Sequence, residues 1–420
     1  MPSPRDVVIT GLGVVSPLGI GRDALWAALE SGQSGVDWLP EYRGSELPFR
    51  IGARVQGFDP KQYVQPRKTI KVMCVEIQYA YAAATLAMQD AGLAKGAVEP
   101  DRLGVVLGSE MLFGELEEVQ DVFRNCSEEG RFVYDRWGVQ AFKDQYPLWM
   151  LKYLPNMAAC HISIVHDARG PNNSIVQGGA SSLLAVIEAA TCIERGLADA
   201  MLAGGSGTLV GASCLPFRGW DHLTTWTGPP AEASRPFDAG RCGIVPGEGA
   251  ATLVLESRPH AERRGAPILA RLAGFGRRCE PVRRGQELTG RAIEQSIGAA
   301  LATSGLAPAD VGHVNAHADS SPHDALEAQA IRNVLGDVPV LAPKSYFGDL
   351  GAGSGAVELA ISVLALANGR VPATLNYQSP DPACPVNVVH GSPLVDAAPT
   401  AVVLNQSSTG QAAAIALDRL

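Results

Sequence analysis

The chain has 420 residues, 46% of them hydrophobic and 18% charged, with 34 Lys and Arg against 43 Asp and Glu for a formal net charge of −9. That length suits about two or three domain-sized units, or one large intertwined pair. The 46 glycines favour an α/β protein with many tight strand–helix turns over a helical bundle. The acidic balance, with no Lys/Arg block longer than a pair, argues against nucleic acid as the main partner. No apolar run looks long enough for a membrane span, and no signal-type segment precedes the first apolar stretch. Eight scattered cysteines form neither a disulfide framework nor a zinc pattern, which fits a reducing cytoplasm.

Residues 6–16 read as a buried strand running into a turn. Gly11-Leu-Gly13 lacks the third glycine of a dinucleotide fingerprint: Ser16 stands there and Pro17 follows, so no helix opens over a pyrophosphate. Residues 23–30 form a short amphipathic helix, and 35–66 an irregular inserted layer. A long Ala-rich helix is expected over 68–93, with Gly92 at its end, followed by a strand at 103–109. Residues 110–158, rich in Phe, Tyr and Trp, read as a cap or partner-facing layer. At 174–176 a β-leaning run meets Gly178 and Gly179, and a helix then repeats Leu183, Leu184, Val186, Ile187 and Ala190 on one face. Backbone N–H groups at such a turn point outward, and the helix dipole favours negative charge. This is a place for a nucleophile, but the turn itself offers glycine. Further buried strands are expected at 198–205 and 247–256.

The chain also resembles itself. Residues 88–93 followed by 100–108 match 301–306 followed by 308–315, each a helix, a Gly-Leu turn, then Pro and Asp before a strand. The turn and helix at 174–190 match 345–366. Two β-α-β-α-β halves, 1–257 (with the insertions at 35–66 and 110–158) and 258–420, predict a duplicated α/β fold. Chance likeness of Ala-rich helices is the alternative.

Several segments together resemble the β-ketoacyl synthases. They are Val7-Val-Ile-Thr-Gly-Leu-Gly-Val-Val-Ser-Pro-Leu-Gly19, Gly170-Pro-Asn, Ala198-Asp-Ala-Met-Leu-Ala-Gly-Gly205, Arg235-Pro-Phe-Asp with Arg241, Gly247-Glu-Gly-Ala250, Asn315-Ala-His317 and Ala342-Pro-Lys-Ser345. The resemblance implies a thiolase-like fold with five layers, α-β-α-β-α, and chemistry that needs no cofactor and no metal. In such enzymes a cysteine at the strand–helix turn takes an acyl chain from an acyl carrier protein. Two histidines and a lysine then promote decarboxylation of a malonyl unit, and the carbanion attacks the thioester.

Position by position the chain departs from that scheme. The cysteine aligns with Gly179. The first histidine is His317, but the Gly-Thr-x-Thr after it reads Ala318-Asp-Ser-Ser321. The second histidine is Asp349, which is expected to pair with Lys344 or His317. Lys344 remains, as does Glu358, its implied ion-pair partner, and Asp324 and Glu327 are implied structural neighbours. The gating motif near the C-terminus reads Asn405-Gln-Ser-Ser-Thr-Gly-Gln411, placing Thr409 at the gate. Competing readings are Ser181 or Ser182 as displaced nucleophiles, a metal cluster of His317, Asp319, His323 and Asp324, and a Cys160–His161–His166 pairing. First-turn capping and core packing are the plainer accounts of these residues, and of Cys192.

Without the thiol, condensation by the family mechanism is lost while the scaffold is kept. The resemblance therefore implies a partner subunit like a chain-length factor, forming a dimer, by preference a heterodimer with an active ketosynthase, and meeting an acyl carrier protein directly or through that partner. Known chain-length factors carry glutamine at the cysteine position, whereas here Gln177 lies two residues before it. The alternatives are a decarboxylase or hydrolase of carrier-bound thioesters using His317, Lys344 and the Gly179 amide, or an acyl-chain binding protein.

Overall fold

The structure is a computed structural model that describes residues 6–45, 47, 49–110, 114–211, 213, 222–282 and 287–420. Cys214 lies outside them. The seven cysteines among the described residues are free thiols.

One half of the chain supplies strands β1 (Val7–Ser16), β2 (Leu103–Gly108), β3 (Asn172–Ile175), β4 (Ala200–Thr208) and β5 (Glu248–Ser257). The other supplies β6 (Ala270–Cys279), β7 (His313–Asn315), β8 (Pro339–Leu341), β9 (Asn387–Val388), β10 (Thr400–Gln406) and β11 (Gln411–Asp418). All join one 12-stranded sheet in the order β9-β8-β7-β10-β11-β6-β1-β5-β4-β2-β3, with Gly19–Ile20 as the twelfth strand paired beside β1. The repeat seen in the sequence reappears as pairing direction. In the first half β1–β5 and β5–β4 are antiparallel, then β4–β2 and β2–β3 parallel. In the second, β6–β11 and β11–β10 are antiparallel, then β10–β7 and β7–β8 parallel. The local motifs match too. Short 3-10 turns at Pro100–Arg102 and Pro308–Asp310 lead into β2 and β7, and others at Gly178–Ala180 and Gly351–Gly353 lead into helices.

The described helices are α1 (Arg22–Ser31), α2 (Val75–Asp90), α3 (Leu116–Asn125), α4 (Tyr134–Asp144), α5 (Met157–His166), α6 (Ser181–Glu194), α7 (Arg291–Ser304), α8 (His323–Leu335) and α9 (Ser354–Asn368), besides three shorter ones. Three cores fix the layering. In the central one, Leu183, Val186 and Ile187 of α6 and Val357, Leu359 and Ile361 of α9 pack among Ile9, Leu253, Val403 and Ile415 from both halves. Outside it, α2 and α5 cover β2 and β4, while α7 and α8 cover β7, β10 and β11. The result is α-β-α-β-α, the thiolase-like fold, with two apolar helices buried in the middle layer.

That middle layer corrects one sequence expectation. Gly351–Asn368 is long and apolar enough to cross a membrane, yet 89% of that window is buried inside the protein. A helix covered on both faces by sheet has no side to give to water, so it is apolar all round. The start of α2 is a second correction. It opens at Val75, and residues Arg67–Val72 form a 3-10 turn instead. Thr69, Ile70 and Val72 are β-branched and resist the first helical turn. The Gly11-Leu-Gly13 pair serves helix packing: a Cβ at Gly11 would meet Ala87 O, and one at Gly13 would meet Ala83 O, both on α2.

His313 on β7 is 1% exposed. Its Nε2 lies 3.4 Å from Ser362 Oγ, and Nδ1 has no partner among the described residues. Burial holds its pKa at about 4. The unfolded chain therefore binds more protons between pH ~6.5 and 4, so this contribution to stability is complete above 6.5 and is lost as pH falls towards 4. His313→Leu is expected to recover up to about 3 kcal/mol of the acid loss, read as a smaller drop in urea midpoint from pH 7 to pH 4.5 than in the parent.

Candidate active site

The site forms where the turn before α6, the loop after β7, the start of α9 and the end of β10 converge. Gly178 has φ +55 and Gly179 follows it in the turn. A Cβ at Gly179 would lie 2.7 Å from Gln406 O, 2.8 Å from His317 Cε1 and 3.5 Å from His317 Nε2. The structure thus brings Gly179 and His317 together, and closes the space that a side chain at 179 would need. Ser181 is no free hydroxyl: its Oγ accepts from Gln177 N at 2.8 Å and donates to Gly178 O at 2.6 Å. It caps the turn. Ser182 Oγ is fully buried.

Lys344 and Glu358 are both 0% exposed and 2.6 Å apart. Lys344 Nζ also donates to His317 O at 2.5 Å and faces His317 Nδ1 at 3.1 Å. Burial works against the Lys344 charge, but Glu358 and then Asp349 outweigh it, leaving its pKa above the ordinary value. Burial pushes Glu358 up; Lys344 and a 2.6 Å bond from Asn405 Nδ2 pull against that. Two donors, Lys344 Nζ and Asn405 Nδ2 (3.3 Å), face His317 Nδ1. By this network Nδ1 is the acceptor and the proton sits on Nε2. Burial first, then Lys344, hold the His317 pKa at about 4 against the opposing pull of Asp319 and Asp349. The ring is neutral at pH 7.

Asp324 and Glu327, on the first turns of α8, hold the backbone that carries His317. Glu327 accepts from His317 N and Ala318 N, each at 2.8 Å. Asp324 accepts from Asp319 N and Phe237 N, each at 3.0 Å. Burial raises Glu327 to about 7, and burial followed by the Asp319 charge raises Asp324. These carboxylates are spent on amides, and no metal-holding group of three or more His, Cys, Asp or Glu occurs among the described residues.

Asp349 acts on both Lys344 and His317 through its charge, and its side chain also has a local role. Its Oδ1 accepts from Ser354 Oγ at 2.9 Å and from Gly351 N at 3.1 Å, bracing the turn into α9, while Lys344 takes Glu358 as its close partner. A donor two residues on costs little chain entropy to reach, and Glu358 had already met the lysine. Thr409 lies exposed in the β10–β11 turn, bonded to Ser407 Oγ at 2.8 Å and Gln411 Oε1 at 2.6 Å. Cys160 accepts a 3.7 Å contact from Asn156, and burial lowers the pKa of His161 and His166, that of His166 to about 4.

The sequence did not single out Asn405, which ties Glu358 to His317, or Glu110, whose Oε1 accepts from Ala352 N at 2.6 Å beside the Gly351–Gly353 turn. Nor did it mark Phe237 and Ser320, non-glycine residues at φ +63 and +70. Ser320 Oγ accepts from Arg235 N at 2.8 Å, so each left-handed residue is pinned beside the other's loop.

A buried Lys–Glu pair thus lies behind a neutral histidine that faces a strand–helix turn. The models for the N-terminal and C-terminal domains of beta-ketoacyl synthase match residues 4–261 and 269–378. The chain belongs to the beta-ketoacyl synthase family. It is 36% identical over 396 residues to 3-oxoacyl-[acyl-carrier-protein] synthase 2 of Coxiella burnetii, covering 92% of this chain and 91% of that one. Among solved structures it resembles the ishigamide ketosynthase/chain length factor (TM-score 0.87, 25% identity, 100% of both chains). It also resembles a type II polyketide synthase acyl-carrier protein in complex with its ketosynthase bound to the hexaketide (TM-score 0.86, 28% identity, 100% of both chains).

Proposed function

We propose that this chain is a non-condensing partner subunit of a type II polyketide or fatty-acid synthase, comparable to a chain-length factor, that pairs with an active ketosynthase. The observation that carries the reading is Gly179. The position that would hold the acyl chain covalently has no side chain, and His317 and Gln406 occupy the room one would need. Asp349 adds a carboxylate where an enolate would need a neutral donor.

Two surfaces suit a mate of the same fold. Strand β3 ends the sheet, with Asn172 and Asn173 exposed and one edge unpaired by any strand among the described residues. The cap displays Phe142 at 95% and Tyr134 at 82% exposure, beside Val139 and Met150. Apolar exposure on that scale marks an interaction surface. The likeness to a ketosynthase/chain length factor structure and to a carrier-protein complex supports the same choice of partners.

The test is mixing with a Cys–His–His ketosynthase of a type II system. Native mass spectrometry should show a 1:1 heterodimer, and condensation should appear only in the mixture. A stable homodimer that ignores every such ketosynthase would overturn the reading.

A further inference from the structure

Asp319 has no part in pairing, and its position is specific. Its backbone N donates to Asp324 Oδ1 at 3.0 Å, and its own Oδ1 accepts from Ser321 N at 3.1 Å. So held, Oδ2 faces His317 Nε2 at 4.0 Å. Glu358, Lys344, His317 and Asp319 then form a line with successive separations of 2.6, 3.1 and 4.0 Å. The first two contacts fix the imidazole proton on Nε2. The third is too long for a direct N–H···O bond. His317 and Asp319 keep side-chain exposures of 9% and 14%, unlike the sealed pair behind them. Nε2 lies 3.5 Å from where a Cβ would stand on Gly179, at the start of the 14-residue helix α6. The Gly179 backbone, an Nε2–H and a carboxylate thus lie close together.

We infer that this point is a hydrolytic centre for acyl thioesters, with Asp319 as general base. Water held on Asp319 Oδ2 attacks the thioester carbonyl carbon, and Asp319 takes one of its protons as the new C–O bond forms. The charge on the carbonyl oxygen is met by His317 Nε2–H and the Gly179 amide. Collapse breaks the C–S bond, and the leaving thiolate takes the proton from Asp319. The products are a carboxylic acid and a free thiol. Nothing is oxidised or reduced, and water is the only co-reactant. The charged groups that act on His317 include Lys344, Asp319, Asp349 and His323; Asp319 is the carboxylate with an oxygen 4.0 Å from Nε2. The activity goes beyond the partner role and belongs to the chain alone.

The experiment is hydrolysis of butyryl-N-acetylcysteamine in 18O-labelled water by the full chain without a ketosynthase, read by mass spectrometry of the acid. The parent should release butyrate with one labelled oxygen per turnover above the enzyme-free rate. Asp319→Asn should keep the melting temperature and KM within about twofold and lower kcat at least ~100-fold, the scale of general-base catalysis. Asp319→Glu, which restores a carboxylate, should recover part of that loss. Turnover no faster than the enzyme-free rate, equal rates for the parent and Asp319→Asn, or equal rates for the Asn and Glu variants would each overturn the inference. Heterodimer formation by Asp319→Asn, measured separately, reports on the pairing role and is unaffected by these outcomes.

Discussion

A chain carrying Gly179→Cys is expected to stay unlabelled by an acyl thioester over times that fully label an intact ketosynthase, and to unfold about 1–3 kcal/mol more easily than the parent. The new Cβ would sit 2.7 Å from Gln406 O and 2.8 Å from His317 Cε1. Gln406 O is main chain at the end of β10, and the imidazole cannot swing aside cheaply, because Lys344 and Asn405 hold its Nδ1. A thiolate there would also meet the charges of Asp319 and Asp349, which offset the help of the α6 N-terminus. Gly179→Ala separates the effects: it should match the cysteine variant in stability. Intact-mass spectrometry decides the rest. One acyl group per chain at position 179 would show that the site had merely lost a sulfur and kept its geometry.

Lys344→Met should cost about 3–5 kcal/mol, since it strands the fully buried Glu358 carboxylate without its partner. Glu358→Met should cost a similar amount by stranding the ammonium. Together the two substitutions should cost far less than their sum, because a buried ion pair replaced by apolar side chains of like volume is often close to neutral. Urea midpoints of the four proteins provide the cycle. Additive losses, or a single loss below ~1 kcal/mol, would mean that the pair is not the anchor that its burial and 2.6 Å separation indicate.

Much of this was legible in the residues because local rules and the fold agree. The run from Val7 to Ser16 is apolar on both faces and lies buried along its whole length. The Gly-Leu-Pro-Asp pattern marks the same helix–turn–strand corner in each half, at Pro100–Arg102 and again at Pro308–Asp310. The Lys344–Glu358 pairing followed from the family resemblance, and the 2.6 Å contact is there. What stayed hidden depends on distance in space. Asp349 acts on the lysine by charge, but the residue types alone do not show that its Oδ1 also takes Ser354 and Gly351. Nothing in the string of letters shows that His317 leans into the place of a missing side chain, or that Asn405 spans its gap to Glu358. The strain at Phe237 and Ser320 is equally silent, since neither is glycine.

The dependence of the core on Lys344 and Glu358 has a consequence for how such chains change over generations. Drift at either member of the pair meets a penalty that is a large part of the margin by which a protein stays folded. Losing one requires losing the other at nearly the same moment. Acid–base groups buried in this way can therefore be kept by thermodynamics alone, whatever reaction they serve.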